Sequence, residues 1–283
     1  MAKPRVASAF LDVIPTKVCY AARTMMNPIL NIATQAARKA SRAILRYVDE
    51  PDKIQASCKQ ENDYVTQADQ QSEAIIIETI QKMYPDHAII CEESGALGNE
   101  KSEYTWIIDP IDGTANFMRG FMHFAISIAV MKKNQIEFGV IYDPIRQELF
   151  TATRGQGAYV NNRRMRVSPT KKLSDALIAT GFPFCDKAKH IKPYLATFEK
   201  VFMHCRDIRR AGSAALDLAY VAAGRLDGYW ESNLKIWDIA AGVLMIQEAG
   251  GKVTDFNNGS TFLENGNIVA GSLKMHEALI GYL

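Results

Sequence analysis

An apolar run, Trp106-Ile107-Ile108, ends in Asp109-Pro110-Ile111-Asp112-Gly113-Thr114, so a strand-like segment terminates in two carboxylates. Acidic strand ends are where α/β proteins hold hard cations and phosphate groups, because oxygen donors suit such ions and the strand ends open onto a crevice. Pro110 has no N–H and a fixed φ, which stops the strand and stiffens the turn. Gly113 lets the backbone approach a ligand closely, and its N–H and that of Thr114 can point at an anion. Partner acids stand elsewhere in the chain. His87-Ala88-Ile89-Ile90-Cys91-Glu92-Glu93-Ser94 is another short apolar run ending in acids. Trp237-Asp238-Ile239-Ala240-Ala241-Gly242 opens a segment of helical periodicity that runs to Glu248-Ala249-Gly250-Gly251, with Asp238 at the expected N-cap and the glycines as its stop. Mg2+ takes near-octahedral oxygen coordination from a few carboxylates, water and substrate phosphate. Glu92, Asp109, Asp112 and Asp238, with the Ile111 carbonyl, are the candidate donors for two such ions, which would offset carboxylate repulsion and attract a phosphate.

Each segment alone has a plainer reading. Asp-Pro-x-Asp-Gly is most often a turn, and a lone Asp before an amphipathic stretch is most often a cap. Glu93 is read as lying outside the site, since neighbours at a strand end point to opposite faces. The combination decides: Glu92-Glu93-Ser94, then Asp109-Pro110-Ile111-Asp112-Gly113-Thr114-Ala115-Asn116-Phe117, then Trp237-Asp238 with Ala240-Ala241-Gly242 and Glu248-Ala249-Gly250-Gly251, in that order. Together they resemble the inositol monophosphatase family of Mg2+-dependent, lithium-sensitive phosphatases, and within it a bacterial type associated with regulation of ribosomal RNA synthesis. The likeness runs from about Met26 to the C-terminus.

The resemblance implies roles residue by residue. Glu92, Asp109 and the Ile111 carbonyl match the ligands of one metal, and Asp109, Asp112 and Asp238 those of a second; a third, weaker ion leans on Glu92 and waters. Thr114 matches the threonine that helps orient the attacking water, and Asp69, in Val65-Thr66-Gln67-Ala68-Asp69, the acid that accepts its hydroxyl proton. Glu92, Thr114 and Asp69 are thus the implied catalytic set. Arg209-Arg210-Ala211-Gly212-Ser213-Ala214-Ala215 resembles the loop whose backbone faces a sugar ring, and Glu231 matches the acid that accepts from ring hydroxyls. Substrate contacts are expected from Asp112, Gly113, Thr114, Arg209, Gly212, Ser213, Ala214, Glu231 and Asp238. Arg209 reads nearly as well as a surface or dimer-contact arginine, and Lys59 matches a lysine near the metal cluster. The implied partner is a small phosphate ester, inositol 1-phosphate first; superfamily relatives handle fructose 1,6-bisphosphate, 3′-phosphoadenosine 5′-phosphate and histidinol phosphate. A homodimer is implied as well. Cys91 and Met122 depart from the family pattern, standing where a smaller or hydroxyl residue and a proline are common.

The elements that must carry these residues alternate. Periodicity predicts helices over Ile29–Tyr47 and Asp69–Met83, the latter closed by Tyr84-Pro85-Asp86. Strands are predicted at Ala88–Cys91, Thr105–Ile108, Ala125–Met131, Ile136–Asp143 and Glu148–Thr153, followed by a hairpin that turns at Asn161-Asn162. The second half reads strand Ala176–Thr180, helix Lys192–Val201, strand Asp207–Arg210, helix Ala214–Ala223, strand Gly228–Trp230 and helix Asp238–Ala249. Alternation by itself predicts a mixed α/β fold. The resemblance implies a layered αβαβα sandwich of the inositol monophosphatase and fructose-1,6-bisphosphatase type, one unit over residues 26–283 with halves of about 26–170 and 171–283 and the metals at their junction.

Composition agrees. With 283 residues and 48% hydrophobic content the chain can bury a large core, and a net charge of +2 points to no general polyanion-binding role. Five scattered cysteines without CxxC pairs suggest a reducing cytoplasm, and no run of 18 apolar residues spans a membrane. Met1–Thr24, with Lys3, Arg5, Lys17 and Arg23 but only Asp12 as acid, is read as an extension without chemistry. Arg163-Arg164-Met165-Arg166, Lys171-Lys172 and Arg206 with Arg209 and Arg210 form basic patches. They admit a different function, a regulatory partner of the transcription machinery or of RNA, although solvated turns are the plainer reading.

Overall fold

The structure, a computed structural model, describes residues 27–48, 56–60, 63–183 and 187–283. The expected N-terminal extension lies outside the described residues, as does the side chain of Lys59.

Alternation along β6 (Ala125–Lys132) assigns the layers. Ile126, Ile128 and Val130 enter one apolar cluster while Ala125 and Ala129 enter another, so branched side chains cover one face and small ones the other. Against the branched face pack α1 (Pro28–Val48) and α2 (Gln67–Gln81). Against the small-residue face pack α5 (Ala214–Ala222) and α6 (Ile236–Glu248). The approach of α6 is close because its contact positions lack bulk: a Cβ on Gly139 would stand 3.0 Å from the Ala241 carbonyl oxygen. A Cβ on Gly242 would stand 2.5 Å from the Cβ of Leu218 on α5.

The sheet these helices sandwich is eight-stranded, in the order β10 (Arg163–Arg164), β9 (Gly157–Val160), β8 (Glu148–Thr153), β7 (Gln135–Asp143), β6, β5 (Tyr104–Asp112), β3 (Ala88–Cys91), β4 (Gly95–Gly98). Only its β3–β5 pair is parallel. A second sheet has the order β12 (Asp207–Arg209), β11 (Leu177–Thr180), β13 (Gly228–Glu231), β15 (Ile268–Gly271), β14 (Lys252–Thr254). Its β12–β11–β13 part is parallel and the rest antiparallel. Helix α5 also contacts β13 and β15, so α5 and α6 form a layer between the sheets. On the far face, α4 (Lys187–Phe202) and α8 (Leu273–Ile280) close a third cluster around Ile178, Trp230, Val269 and Met275. The layers therefore run αβαβα, as expected. A hairpin of β1 (Ala56–Gln60) and β2 (Asp63–Thr66) leads into α2, and α3 (Thr114–Met118) and α7 (Phe262–Asn265) are short.

Several expectations need correction. Strand β5 does not stop at Ile108 but runs through Pro110 to Asp112, because the chain bulges there instead of turning. Helix α4 begins at Lys187 rather than beside Pro193, which sits inside the helix on its exposed side. The carbonyl left without an N–H partner can face water there. Strands β1, β2, β4, β14 and β15 and helix α8 were not expected; β4 is exposed and β15 buried at every position, so neither alternates. The hairpin turn is as predicted, with φ of 45° at Asn161 and 64° at Asn162. Among the described residues no helix is long and apolar enough to cross a membrane.

Candidate active site

Asp109 pairs with Ser127 and Asp112 with Ala125, so three steps along β5 span two along β6. On a regular strand, side chains three apart face opposite sides; the extra residue of the bulge returns Asp112 to the face that carries Asp109. That face looks toward α6, whose start is tied to β6 by the Ser127 hydroxyl donating to the Trp237 carbonyl at 3.1 Å. Asp238 is the third residue of α6, not its N-cap, and accepts the Lys235 N–H at 2.7 Å. An acid at the third position can satisfy the cap residue's own N–H, so by residue type the two positions look alike. Carboxylate oxygens of Asp109, Asp112 and Asp238 all lie within 4.8 Å of one another. Strand β3 runs parallel to β5 with Cys91 beside Ile108, and the Glu92 N–H donates to the Ile108 carbonyl at 3.2 Å, which carries Glu92 alongside Asp109.

Thr114 Oγ1 lies 3.0 Å from the Ile111 carbonyl oxygen and 3.2 Å from Asp69 Oδ1. The other oxygen of Asp69 accepts the Thr66 N–H at 2.8 Å and its hydroxyl at 2.5 Å, closing a capping box at the start of α2. Burial raises the Asp69 pKa, and the bonds from Thr66 and Thr114 oppose the rise. Gly113 holds φ at 97°, and a Cβ there would stand 3.1 Å from the carbonyl oxygens of both Gly212 and His123.

The 211–215 loop reaches the same acids. Ser213 caps α5, accepting the Leu216 N–H at 3.3 Å, and its hydroxyl donates to Asp112 Oδ2 at 2.5 Å. The Ala215 N–H donates to the same oxygen at 2.7 Å. Asn116 donates to the carbonyls of His123 at 2.8 Å and Ala211 at 2.9 Å, stitching this loop to α3. Glu231 closes β13 and accepts from the Tyr229 hydroxyl. Arg209 pairs with Asp207 at 2.5 Å on the exposed edge strand. Arg210 instead lies over the Phe182 ring, 5.6 Å from its centroid, with its guanidinium 2.8 Å from where a Gly212 Cβ would stand.

A model of the inositol monophosphatase family matches residues 25–283. The chain belongs to the inositol monophosphatase family. Nus factor SuhB of Escherichia coli strain K12 is 52% identical over 256 residues, covering 90% of this chain and 95% of that one. The crystal structure of extragenic suppressor protein suhB from Bartonella henselae superposes with a TM-score of 0.87 at 46% identity, covering 90% of this chain and 98% of the other. Inositol monophosphatase from Anabaena superposes at 0.81 with 40% identity, covering 90% and 94%.

Proteins of this family bind phosphate esters and are metal-dependent, and the buried acids here fit a hard cation. Asp109 is pushed well above the usual carboxylate range, first by burial and then by Glu92, Asp112 and Asp238, all of them acids. Asp238 is raised likewise, first by burial and then by Asp112. Burial lifts Asp112 to about 6 even against the bonds from Ser213, Ala215 and Ala214. An all-oxygen donor set with unbalanced negative charge suits Mg2+, Mn2+ or Ca2+ rather than a soft metal.

Of the residues the sequence nominates, Glu92, Asp109, Asp112, Asp238, Thr114 and Asp69 come together. Ser213 and the start of α5 at Ala214 do so by holding Asp112. Arg209 is not brought in with them; Arg210 is the arginine whose charge acts on Glu231, which burial lifts to about 7. Sequence reasoning missed Asn116, whose only signal is its place in the Asp109–Phe117 segment. It also missed Asp217, buried on α5 and raised well above its usual range by burial, then by Glu231 and Asp112. In Ala214-Ala215-Leu216-Asp217-Leu218 nothing marks that acid as facing the site.

Proposed function

We propose that this chain hydrolyses inositol 1-phosphate to inositol and phosphate with Mg2+ as cofactor. The observation that carries the reading is the convergence of three carboxylates within 4.8 Å beside the Thr114–Asp69 pair. Glu92, Asp109, Asp112, Asp238 and the Ile111 carbonyl would hold Mg2+, which when bound lowers the pKa of a water and neutralises phosphate oxygens. Asp69 accepts the Thr114 proton, leaving the hydroxyl oxygen free to accept from the attacking water. Glu92 and Thr114 aim that water at phosphorus in line with the ester oxygen; the new P–O bond forms as the ester P–O bond breaks, and the proton the attacking water gives up ends on the leaving oxygen. Glu231 accepts from ring hydroxyls of a small polyol, a role supported by its place at the end of β13 with Arg210 and Asp217 around it.

The test is Mg2+-dependent phosphate release from inositol 1-phosphate beside fructose 1,6-bisphosphate and 3′-phosphoadenosine 5′-phosphate. Fastest release from the inositol ester is expected, with lithium inhibiting at saturating substrate and the protein behaving as a homodimer. Faster release from another ester would replace the substrate and leave the metal site standing.

The name of the Escherichia coli relative favours a second reading, a regulatory partner of the transcription machinery. The exposed Arg163, Arg164, Arg166, Lys171 and Lys172 are available to such a role. Asp112→Asn separates the two: it should abolish phosphate release while leaving partner binding intact. No release from any ester by protein that still binds Mg2+ would put the regulatory reading first.

A further inference from the structure

One face of α2 is polar and yet buried. Asp69 and Ser72 are 0% exposed and Glu73 is 1% exposed, at positions i, i+3 and i+4, so the three side chains form one stripe. Each touches the metal-bearing turns. Asp69 meets Thr114, the Ser72 hydroxyl donates to the Pro110 carbonyl at 3.0 Å, and Glu73 meets the turn that follows Glu92. Glu73 Oε2 accepts the Glu93 N–H at 3.0 Å, and Oε1 accepts the Ser94 N–H at 2.9 Å and the Ser94 hydroxyl. A buried carboxylate is costly unless its oxygens are hydrogen-bonded, and all three donors here come from the two residues after Glu92. The Glu92 N–H still pairs with Ile108, whereas the N–H groups of Glu93 and Ser94 go to the helix instead of the sheet.

We propose that Glu73 is a positioning residue: through the Glu93–Ser94 turn it sets where the Glu92 carboxylate stands relative to Asp109, and so tunes the affinity of the metal site. This rests on the metal-centre reading under Proposed function. The stripe on α2 joins the Glu92 turn of β3 to the Asp109–Thr114 turn of β5, and a side chain that supports a metal ligand in this way is the kind of outer contact whose loss weakens metal binding.

Glu73→Gln keeps the volume but replaces one acceptor oxygen with an amide nitrogen that faces an N–H donor. Mn2+ binding followed by electron paramagnetic resonance, which needs no turnover, should weaken about tenfold or more. The Mg2+ concentration for half-maximal phosphate release should rise in parallel, with KM for inositol 1-phosphate at saturating Mg2+ unchanged. Ile76→Val, a core change on the same helix, should lower the melting temperature and leave Mn2+ affinity alone, which separates positioning from general loosening. Should Glu73→Gln not fold, Ser94→Ala removes only the hydroxyl donor from an exposed residue, with an expected loss of about threefold. A folded Glu73→Gln, or Ser94→Ala in its place, with wild-type Mn2+ affinity overturns the proposal and leaves the metal centre intact. Wild-type protein that binds no Mn2+ overturns the metal reading and this proposal together.

Discussion

Asp112 has one oxygen committed to the start of α5, through Ser213 and the Ala215 N–H, and this leaves the other for the acidic cluster. Asp112→Asn keeps the volume and removes the charge. Phosphate release should fall by at least about a hundredfold, more than the loss of an outer-contact residue brings, while the metal-free melting temperature holds or rises as repulsion with Asp109 and Asp238 is relieved. Wild-type turnover in this variant would remove Asp112 from the site. Glu231 supplies a pH prediction. Its folded pKa of about 7 lies above the ordinary 4.5, so the folded state binds the extra proton. The associated stability is fully present below about pH 4.5 and is lost as pH rises through 7, up to about 3 kcal/mol for this one group. Chemical denaturation of metal-free protein should show that decline, and Glu231→Gln should flatten part of it while weakening substrate binding. An unchanged slope in Glu231→Gln would mean that Glu231 is not the group titrating.

Helix α6 brings Asp238 to the strand ends by lying close on β7, over Gly139. Gly139→Val should force the two apart and destabilise the protein by about 1–3 kcal/mol, read as a lower urea midpoint. The Mg2+ requirement should rise with it, since Asp238 moves with the helix; a full-strength metal site in the destabilised variant would show that α6 is free to adjust locally. Element types and centres were largely legible, because Ile-Val-Leu runs and 3.6-residue spacing are local. The end of β5 was not legible, because a bulge is defined by the partner strand: only the pairing of Asp109 with Ser127 and of Asp112 with Ala125 shows it. The start of α4 was misread for a related reason, since Pro193 is tolerated on an exposed helix side that only packing defines.

Across the whole molecule the acids come from different layers: Asp109 and Asp112 from the eight-stranded sheet with Glu92 from the turn after its β3, Asp238 from the helical layer, and Glu231 from the five-stranded sheet. A cation held by Glu92, Asp109, Asp112 and Asp238 would tie the eight-stranded sheet to the helical layer. Mg2+ at about a hundredfold over its dissociation constant should add about 2.7 kcal/mol of stability, seen as a higher melting temperature that EDTA reverses. The gain should be larger at pH 8 than at pH 5, since protons compete for acids whose pKa is raised. An Mg2+-independent melting temperature at pH 8 would argue against a resident cation.

The amino-acid sequence by itself determined the family and nominated the donors: carboxylates at strand ends, a threonine beside them, and an order of segments that marks the family. Those features are local spacing and residue type, and both can be read along the chain. Tertiary structure decided which side chains meet across it. It brought the charge of Arg210 to Glu231, set the α5 N-terminus against Asp112, buried Asp217 near Glu231 and Asp112, and placed Glu73 on the turn after Glu92. Each depends on layers packing at a given distance and rotation, and no spacing within a single element encodes that.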